Sequence, residues 1–165
     1  MMSLNKLPQP VIARVQGVAT AAGCQLVASC DLAIASADAR FGVSGINVGL
    51  FCSTPAVALS RAIQPKHALH MLLTGDLISA DTALSYGLLN AVVPPHMLDA
   101  ETTKLAEKIS NKSSFGIRLG KQMFYEQLKY DNLENAYDFA TERIICNMQH
   151  SDARKGIDGF VNKTK

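Results

Sequence analysis

Between Val11 and Cys30 the hydropathy of the chain changes period, and the change is confined to a few small residues. Val11, Ala13 and Val15 alternate with Ile12, Arg14 and Gln16, which is the spacing of a strand with two unlike faces. Gly17 follows, a residue free to take the backbone of a sharp turn. After Ala19, Ala21, Ala22 and Gly23, the apolar residues Leu26, Val27 and Cys30 recur at helical spacing, and Thr20 is the predicted N-cap. A strand, a tight turn and a helix running to about Ser29 are therefore predicted. Small side chains at a helix start leave its first backbone N–H groups uncovered, at the positive end of the helix dipole. A carbonyl oxygen gaining negative charge fits there. The same spacing also describes a close-packed strand and helix with no ligand.

The rest of the chain alternates strand and helix before turning helical. Asp31 to Ser36 reads as a second apolar strand with a short extension at Arg40, Phe41 and Gly42. Gly42, Gly45 and Gly49 make the following stretch too glycine-rich for regular helix, so a loop of active-site type is predicted there. A helix is predicted to start at Thr54 and Pro55, with Thr54 as its cap, and to end before Pro65. Another runs from Lys66 to Leu73 and closes at Gly75; a short one from Ser79 to Tyr86 closes at Gly87. Leu88 to Val93 reads as a strand stopped by Pro94 and Pro95. Helices are predicted over about 96 to 111, 113 to 129, 132 to 149 and 151 to 163, so the fold class is α/β with a helical C-terminal tail. In the tail, Leu105, Ile109, Leu119, Met123, Phe124, Leu128, Leu133, Tyr137, Ala140, Ile144 and Met148 fall mostly at three- and four-residue steps, a stripe expected to face a core.

Composition excludes several functions. With 165 residues, of which 48% are hydrophobic and 18% charged, the chain is long enough for one real core. Sixteen basic and 14 acidic residues leave a net charge of +2, which gives no case for nucleic-acid binding. The uncharged stretch Val15 to Cys30 is too short and too polar to span a membrane, and Met1 to Pro8 does not read as a signal or transit peptide. Four cysteines, at 24, 30, 52 and 146, follow no zinc or disulfide spacing and read as reduced, buried thiols. His67 and His70 can share a helical face, yet no carboxylate or thiol spacing accompanies them, so no metal is expected.

The order of residues carries more than their spacing. Gly17, Ala19, Gly23, Cys24, Leu26, Cys30, Asp31 and Ala35, followed by Ala39, Phe41 and Gly42, resemble the signature of the enoyl-CoA hydratase and isomerase family, the crotonases. The resemblance continues through Leu73-Thr-Gly-Asp76, Ile78-Ser-Ala80, Ala83, Gly87 and Leu88, Val92-Val-Pro94, and Gly156, Ile157 and Phe160. Residues 21–31 and 49–55 are similar to a mitochondrial branch of that family. It implies the C-terminal part of a crotonase spiral of strand and helix repeats, several turns of which precede this chain's start in the family. Residues 1–95 would form a partial core with the second oxyanion-hole segment, and residues 96–165 a helical region for trimerisation.

The resemblance also assigns roles. Crotonase chemistry makes a thioester oxygen enolate-like, so two backbone N–H groups must hold it. The second donor falls on Ala22, beside Gly23 as a substrate-binding residue; the first comes from a region this chain lacks. The two glutamates of the hydratases fall on Gln25 and Gly45, neither of which can exchange a proton at neutral pH. Phe160 and Lys163 match an aromatic and a base that approach the CoA adenine of an adjoining subunit, although a solvated helix end fits them as well. Asp31 reads as a structural carboxylate at a strand start. Asn47, Cys52 and Ser53 are candidate substitutes for the missing carboxylates, and Cys52 or Ser53 would suit a hydrolase.

The implied function is therefore an acyl-CoA-binding member of mitochondrial fatty-acid metabolism, with hydratase activity weak or absent. No cofactor is implied, coenzyme A being part of the substrate. A homotrimer is the implied assembly. The alternatives are a thioester hydrolase or decarboxylase, and a non-catalytic subunit that pairs with a complete crotonase.

Overall fold

The computed structural model describes residues 1–162. By contact they divide into two compact units: Met1–Asn5 with Val11–Ala106, and Lys6–Pro10 with the residues from Glu107 onward. After a short helix α1 (Met2–Lys6), the first unit runs β1 (Ile12–Val15), β2 (Val18–Thr20), α2 (Ala22–Ser29), β3 (Leu32–Ser36) and β4 (Arg40–Gly42). A 3-10 helix over Ser44–Val48 leads to α3 (Ser53–Ala62) and α4 (Pro65–Thr74). Then come β5 (Ile78–Ser79), α5 (Ala80–Ser85), β6 (Ala91–Val93), a 3-10 turn over Pro95–Met97 and α6 (Leu98–Ser110), within which the boundary between units falls.

The strands form two three-stranded sheets, ordered β1-β3-β6 and β2-β4-β5. The first is parallel throughout, with Ile12 opposite Leu32 and Ile34 opposite Ala91. In the second, β2 and β4 are parallel, with Ala19 opposite Phe41, and β5 is antiparallel to β4. The strand predicted at 11 to 16 is thus followed by a second strand in another sheet, and Gly17 turns the chain between them with φ of 75°. β2 also corrects the predicted cap. Thr20 ends a strand, and Ala21 occupies the N-cap of α2 with no side-chain cap bond.

Several local readings hold for their stated reasons. The Asp31 carboxylate accepts the Val11 N–H at 2.6 Å and pins the entry of β1 against that of β3. Ser79 caps α5 by accepting the Thr82 N–H at 3.1 Å, and Gly75 and Gly87 end their helices with φ of 69° and 85°. Three boundaries shift. α3 starts at Ser53 behind Cys52, so Thr54 does not cap it. The strand expected over 88–93 keeps only its last three residues, because Leu88 and Leu89 turn into the core. The glycine-rich stretch is not an open loop: Gly49, with φ of 78°, ends the 3-10 helix.

The core of the first unit centres on Phe41, Val43, Leu59, Met71 and Cys24, all fully buried. β3 is buried from Ala33 to Ser36, the near-continuous burial of a parallel strand covered on both faces. Gly42 stands where β4 meets β5: an added Cβ would lie 2.6 Å from Leu77 Cδ2 and 2.9 Å from the Asp76 carbonyl oxygen. Only glycine fits there.

The second unit contains α7 (Ser114–Gln127), α8 (Leu133–Gln149) and α9 (Ser151–Val161), with α7 packed on α8 and α8 on α9. Ser113 caps α7 and Asn132 caps α8, while Phe115 stacks on His150 with ring centroids 4.0 Å apart. The apolar stripe of the tail is not the core stripe expected from its spacing. None of its residues is buried, and Leu133 and Tyr137 are 72% and 66% exposed. Helical periodicity marks which face is apolar, but it does not supply the layer that covers it. Cys146 on α8 is likewise exposed, against the expectation of buried thiols.

Candidate functional site

The start of α2 is the most constrained backbone in the chain. Ala21 has φ of 47° and ψ of −114°, and among the described residues it is the only one other than glycine with positive φ. Such a conformation costs an alanine on the order of 1–3 kcal/mol and persists only where neighbours impose it. Here both sides of the residue are tied down. Its N–H donates to the Gly42 carbonyl at 2.9 Å, and its carbonyl accepts the Gln25 N–H at 3.0 Å, closing the first turn of α2. Ala22 is then the first helical residue, exposed, and the N–H of that position has no acceptor inside a helix. Beside it Gly23 has no atom within 4 Å of where a Cβ would stand, so the approach is open.

Relief of that strain is measurable. Ala21→Gly is expected to raise stability by about 1 kcal/mol in urea unfolding, because glycine adopts positive φ without steric cost. A loss of stability would mean that the alanine methyl makes packing worth more than the strain.

Gly42 clamps this turn from the other side as well. Its N–H bonds to the thiol of Cys24 while its carbonyl holds Ala21. Burial pushes the Cys24 thiol from the ordinary 9.0 up to about 11, opposed by that bond and assisted by the nearby Cys52. Cys24 is therefore neutral at physiological pH and no nucleophile. A folded-state value above the unfolded one stabilises the fold fully below pH 9. As pH rises from about 9 to about 11 the unfolded chain loses a proton that the folded chain keeps, and that stability is lost. Urea midpoints across this range should fall for the native chain and flatten for Cys24→Ala.

Gly45, where the resemblance expects the second glutamate, has no room for a side chain. A Cβ on Gly45 would lie 2.6 Å from the Leu50 carbonyl oxygen and 2.7 Å from Cys52 Sγ. The Gly45 carbonyl accepts the Leu50 N–H at 3.0 Å, which draws the chain tightly over it. Cys52 thus fills space next to Gly45, and the Ser53 hydroxyl donates to the Phe51 carbonyl at 3.3 Å, not to a base. Asn47 donates to the Gly75 carbonyl at 3.3 Å, a bond that joins the 3-10 helix to the end of α4. Ser44 meets Thr20, their hydroxyl oxygens 3.3 Å apart, so the 3-10 helix and the start of α2 adjoin.

Gln25 is half-buried one turn into α2, and its carbonyl accepts the Ser29 hydroxyl at 2.7 Å. Phe160 lies on α9 and is 84% exposed; Lys163 lies outside the described residues. His67 stacks flat on Tyr86 with centroids 3.8 Å apart, and among the described residues no three metal-binding side chains come together. The structure thus places Ala22, Gly23 and Gln25 on one helix start, with the Gly45 segment adjoining it. Three contributors escape sequence reasoning: the strain at Ala21, the clamp at Gly42 and the packing of Cys52 against Gly45. The only signal for them was a pair of alanines where a turn calls for glycine.

Paired parallel strands joined by tight turns, with a helix start bared at the second, define a crotonase-type α/β scaffold. The family model for enoyl-CoA hydratase/isomerase matches residues 1–165, and the chain belongs to that family. It is 52% identical over 165 residues to enoyl-CoA hydratase domain-containing protein 3, mitochondrial, of Mus musculus, a match covering 100% of this chain and 55% of the relative. The crystal structure of human enoyl-CoA hydratase domain-containing protein 3 superposes with a TM-score of 0.94 at 50% identity, covering 99% of this chain and 64% of that one. An enoyl-CoA hydratase of Mycobacterium smegmatis gives a TM-score of 0.95 at 52% identity, over 98% and 63% of the two chains. The chain spans just over half the length of the curated relatives it matches, and the N-terminal part of those relatives is not covered.

Proposed function

We propose that this chain is an acyl-CoA-binding crotonase homologue with little or no hydratase activity, acting in mitochondrial fatty-acid metabolism. The observation that carries the proposal is the combination at one helix start. The Ala22 N–H is bared at a helix start set by a locked Ala21, while Gln25 and Gly45, the positions at which the family resemblance expects glutamates, carry no carboxylate. The thioester oxygen accepts from Ala22, and Gly23 leaves room for the acyl group. Phe160 and Lys163 serve the CoA adenine of an adjoining subunit. The mitochondrial assignment follows the names of the similar relatives. A trimer built through the helical tail agrees with the exposed apolar residues of α7, α8 and α9.

Hydration fails for two separate reasons. An amide at 25 cannot take a proton from water, and a glycine at 45 cannot deliver one to carbon; each such group is worth a factor of about 10² to 10⁴. Incubation with crotonyl-CoA, monitored for loss of the enoyl thioester, is expected to give a rate no higher than that of Ala22→Trp. Turnover that Ala22→Trp abolishes would overturn the reading. Thioester hydrolysis is the weaker alternative, since Cys52 is packed against Gly45 and the Ser53 hydroxyl donates to the Phe51 carbonyl rather than to a base.

A further inference from the structure

Between α3 and α4 lies an apolar slot that the residues gathered at the start of α2 do not line. Only Ile63 and Gln64 separate the two helices, and Pro65, the first residue of α4, fixes the turn that sets them side by side. Ala56 on α3 and Ala68 on α4 are too small to fill the seam. The space left encloses about 400 Å³. Ala68 and Leu72 form its buried floor, while Phe51, Val57 and Leu69 stand along it between 46% and 55% exposed. Large apolar side chains gathered at one open cavity mark a place for an apolar ligand rather than scattered surface residues.

The polar groups of the slot restrict what that ligand is. Only Ser60 and Arg61 bring polar side chains to its lining, and the Ser60 hydroxyl is spent on the Val57 carbonyl at 3.3 Å. Arg61 donates through one terminal nitrogen to the same carbonyl at 3.0 Å, which ties the guanidinium back over its own helix beside the slot. Among the described residues no carboxylate pairs with Arg61, and its remaining donors find no protein acceptor. A planar fork of N–H groups matches a carboxylate, which it can hold through two parallel bonds. One cation at an apolar cavity thus complements a single negative charge carried on an aliphatic chain. A volume at the low end of the range for ligand pockets, roughly 300–1,000 Å³, suits a chain of about ten carbons or fewer.

We infer that the slot between α3 and α4 binds a medium-chain aliphatic carboxylate, its chain lying along Phe51, Val57, Leu69 and Leu72 and its head on Arg61. The inference rests on the lining of this slot and not on thioester binding at Ala22.

Decanoate is the probe, and decanol is its uncharged counterpart. Calorimetry of the 165-residue chain is expected to show one-to-one decanoate binding with a Kd of about 0.1 mM, and weaker binding of decanol. Arg61→Gln should weaken decanoate about tenfold and leave decanol unchanged, because it removes a charge-assisted contact from the head alone. Leu69→Asp puts a carboxylate against the chain and should abolish binding of both. Residues 61 and 69 are both exposed, so the two variants should keep the native melt. In amide NMR spectra, decanoate should shift Phe51, Val57, Ser60, Arg61 and Leu69. Absence of saturable binding, equal binding by Arg61→Gln, or shifts collected at Ala22 and Gly23 would overturn the inference. So would self-association that Leu69→Asp disperses and decanoate does not, since the slot would then be covered by a second copy. Decanoate binding by a chain that takes up no crotonyl-CoA would support this inference and contradict only the thioester reading.

Discussion

Gly45→Glu is expected to restore no hydration and to lower the melting temperature by about 5–10 °C. The arithmetic starts from the two atoms that an added Cβ would meet. Leu50 contributes a backbone oxygen at 2.6 Å, which cannot step aside without moving the chain that also bonds back to the Gly45 carbonyl. Cys52 Sγ at 2.7 Å is the neighbour that precedes α3. Forcing extra atoms into such a site costs about 2–3 kcal/mol, and a chain of this size loses about 2–4 °C per kcal/mol. Gln25→Glu, by contrast, changes a half-buried side chain with no such collision and should melt near the native temperature. The double substitution tests the chemistry: both carboxylates are then present in the sequence, but the second can be accommodated only if the 3-10 helix opens. Hydration by the double variant with an unchanged melt would show that a side chain at position 45 is accommodated, contradicting the closed packing there.

Gly42→Ala is the second large effect. A methyl there meets Leu77 Cδ2 at 2.6 Å and the Asp76 carbonyl oxygen at 2.9 Å, so β5 must move away from β4. The same residue holds Ala21 through its carbonyl and Cys24 through its N–H. A loss of about 3 kcal/mol is expected in urea unfolding, made of overpacking and release of the turn. Gly23→Ala is the matched control: it lies inside α2 with open space around it, and it should gain about 0.5–1 kcal/mol from helix propensity. Equal effects from the two substitutions would contradict the assignment of Gly42 as the clamp.

The parts of the fold that the sequence discloses are those written in residues with few conformational choices. Gly17 and Gly87 take positive φ where turns were expected, α3 ends before Pro65, and Ser79 caps α5 with its own hydroxyl. Asp31 belongs to the same group, because a carboxylate at a strand start has few partners other than backbone N–H groups. What stayed hidden depends on atoms far away in the chain. Ala21 gives no warning of positive φ, since the force that holds it comes from Gly42 on another strand. Nothing near Gly45 in sequence says that Leu50 and Cys52 fold back over it. The tail stripe was legible as an apolar face but not as an exposed one, because three helices in sequence do not reveal how many layers cover them. At the candidate site, then, the residue types were readable, and the space around them was not.

The central claim, which rests on the proposed function, is that the bared start of α2 at Ala22 recognises an acyl-CoA thioester while Gln25 and Gly45 supply no carboxylate for its hydration. Isothermal calorimetry of the purified chain with crotonyl-CoA, after a cooperative melt has been recorded, tests it most directly. Saturable one-to-one binding that Ala22→Trp abolishes, with no change in the enoyl thioester recovered afterwards, is the expected result. A folded chain that takes up no crotonyl-CoA, or one that binds it equally well with tryptophan at position 22, would contradict the account.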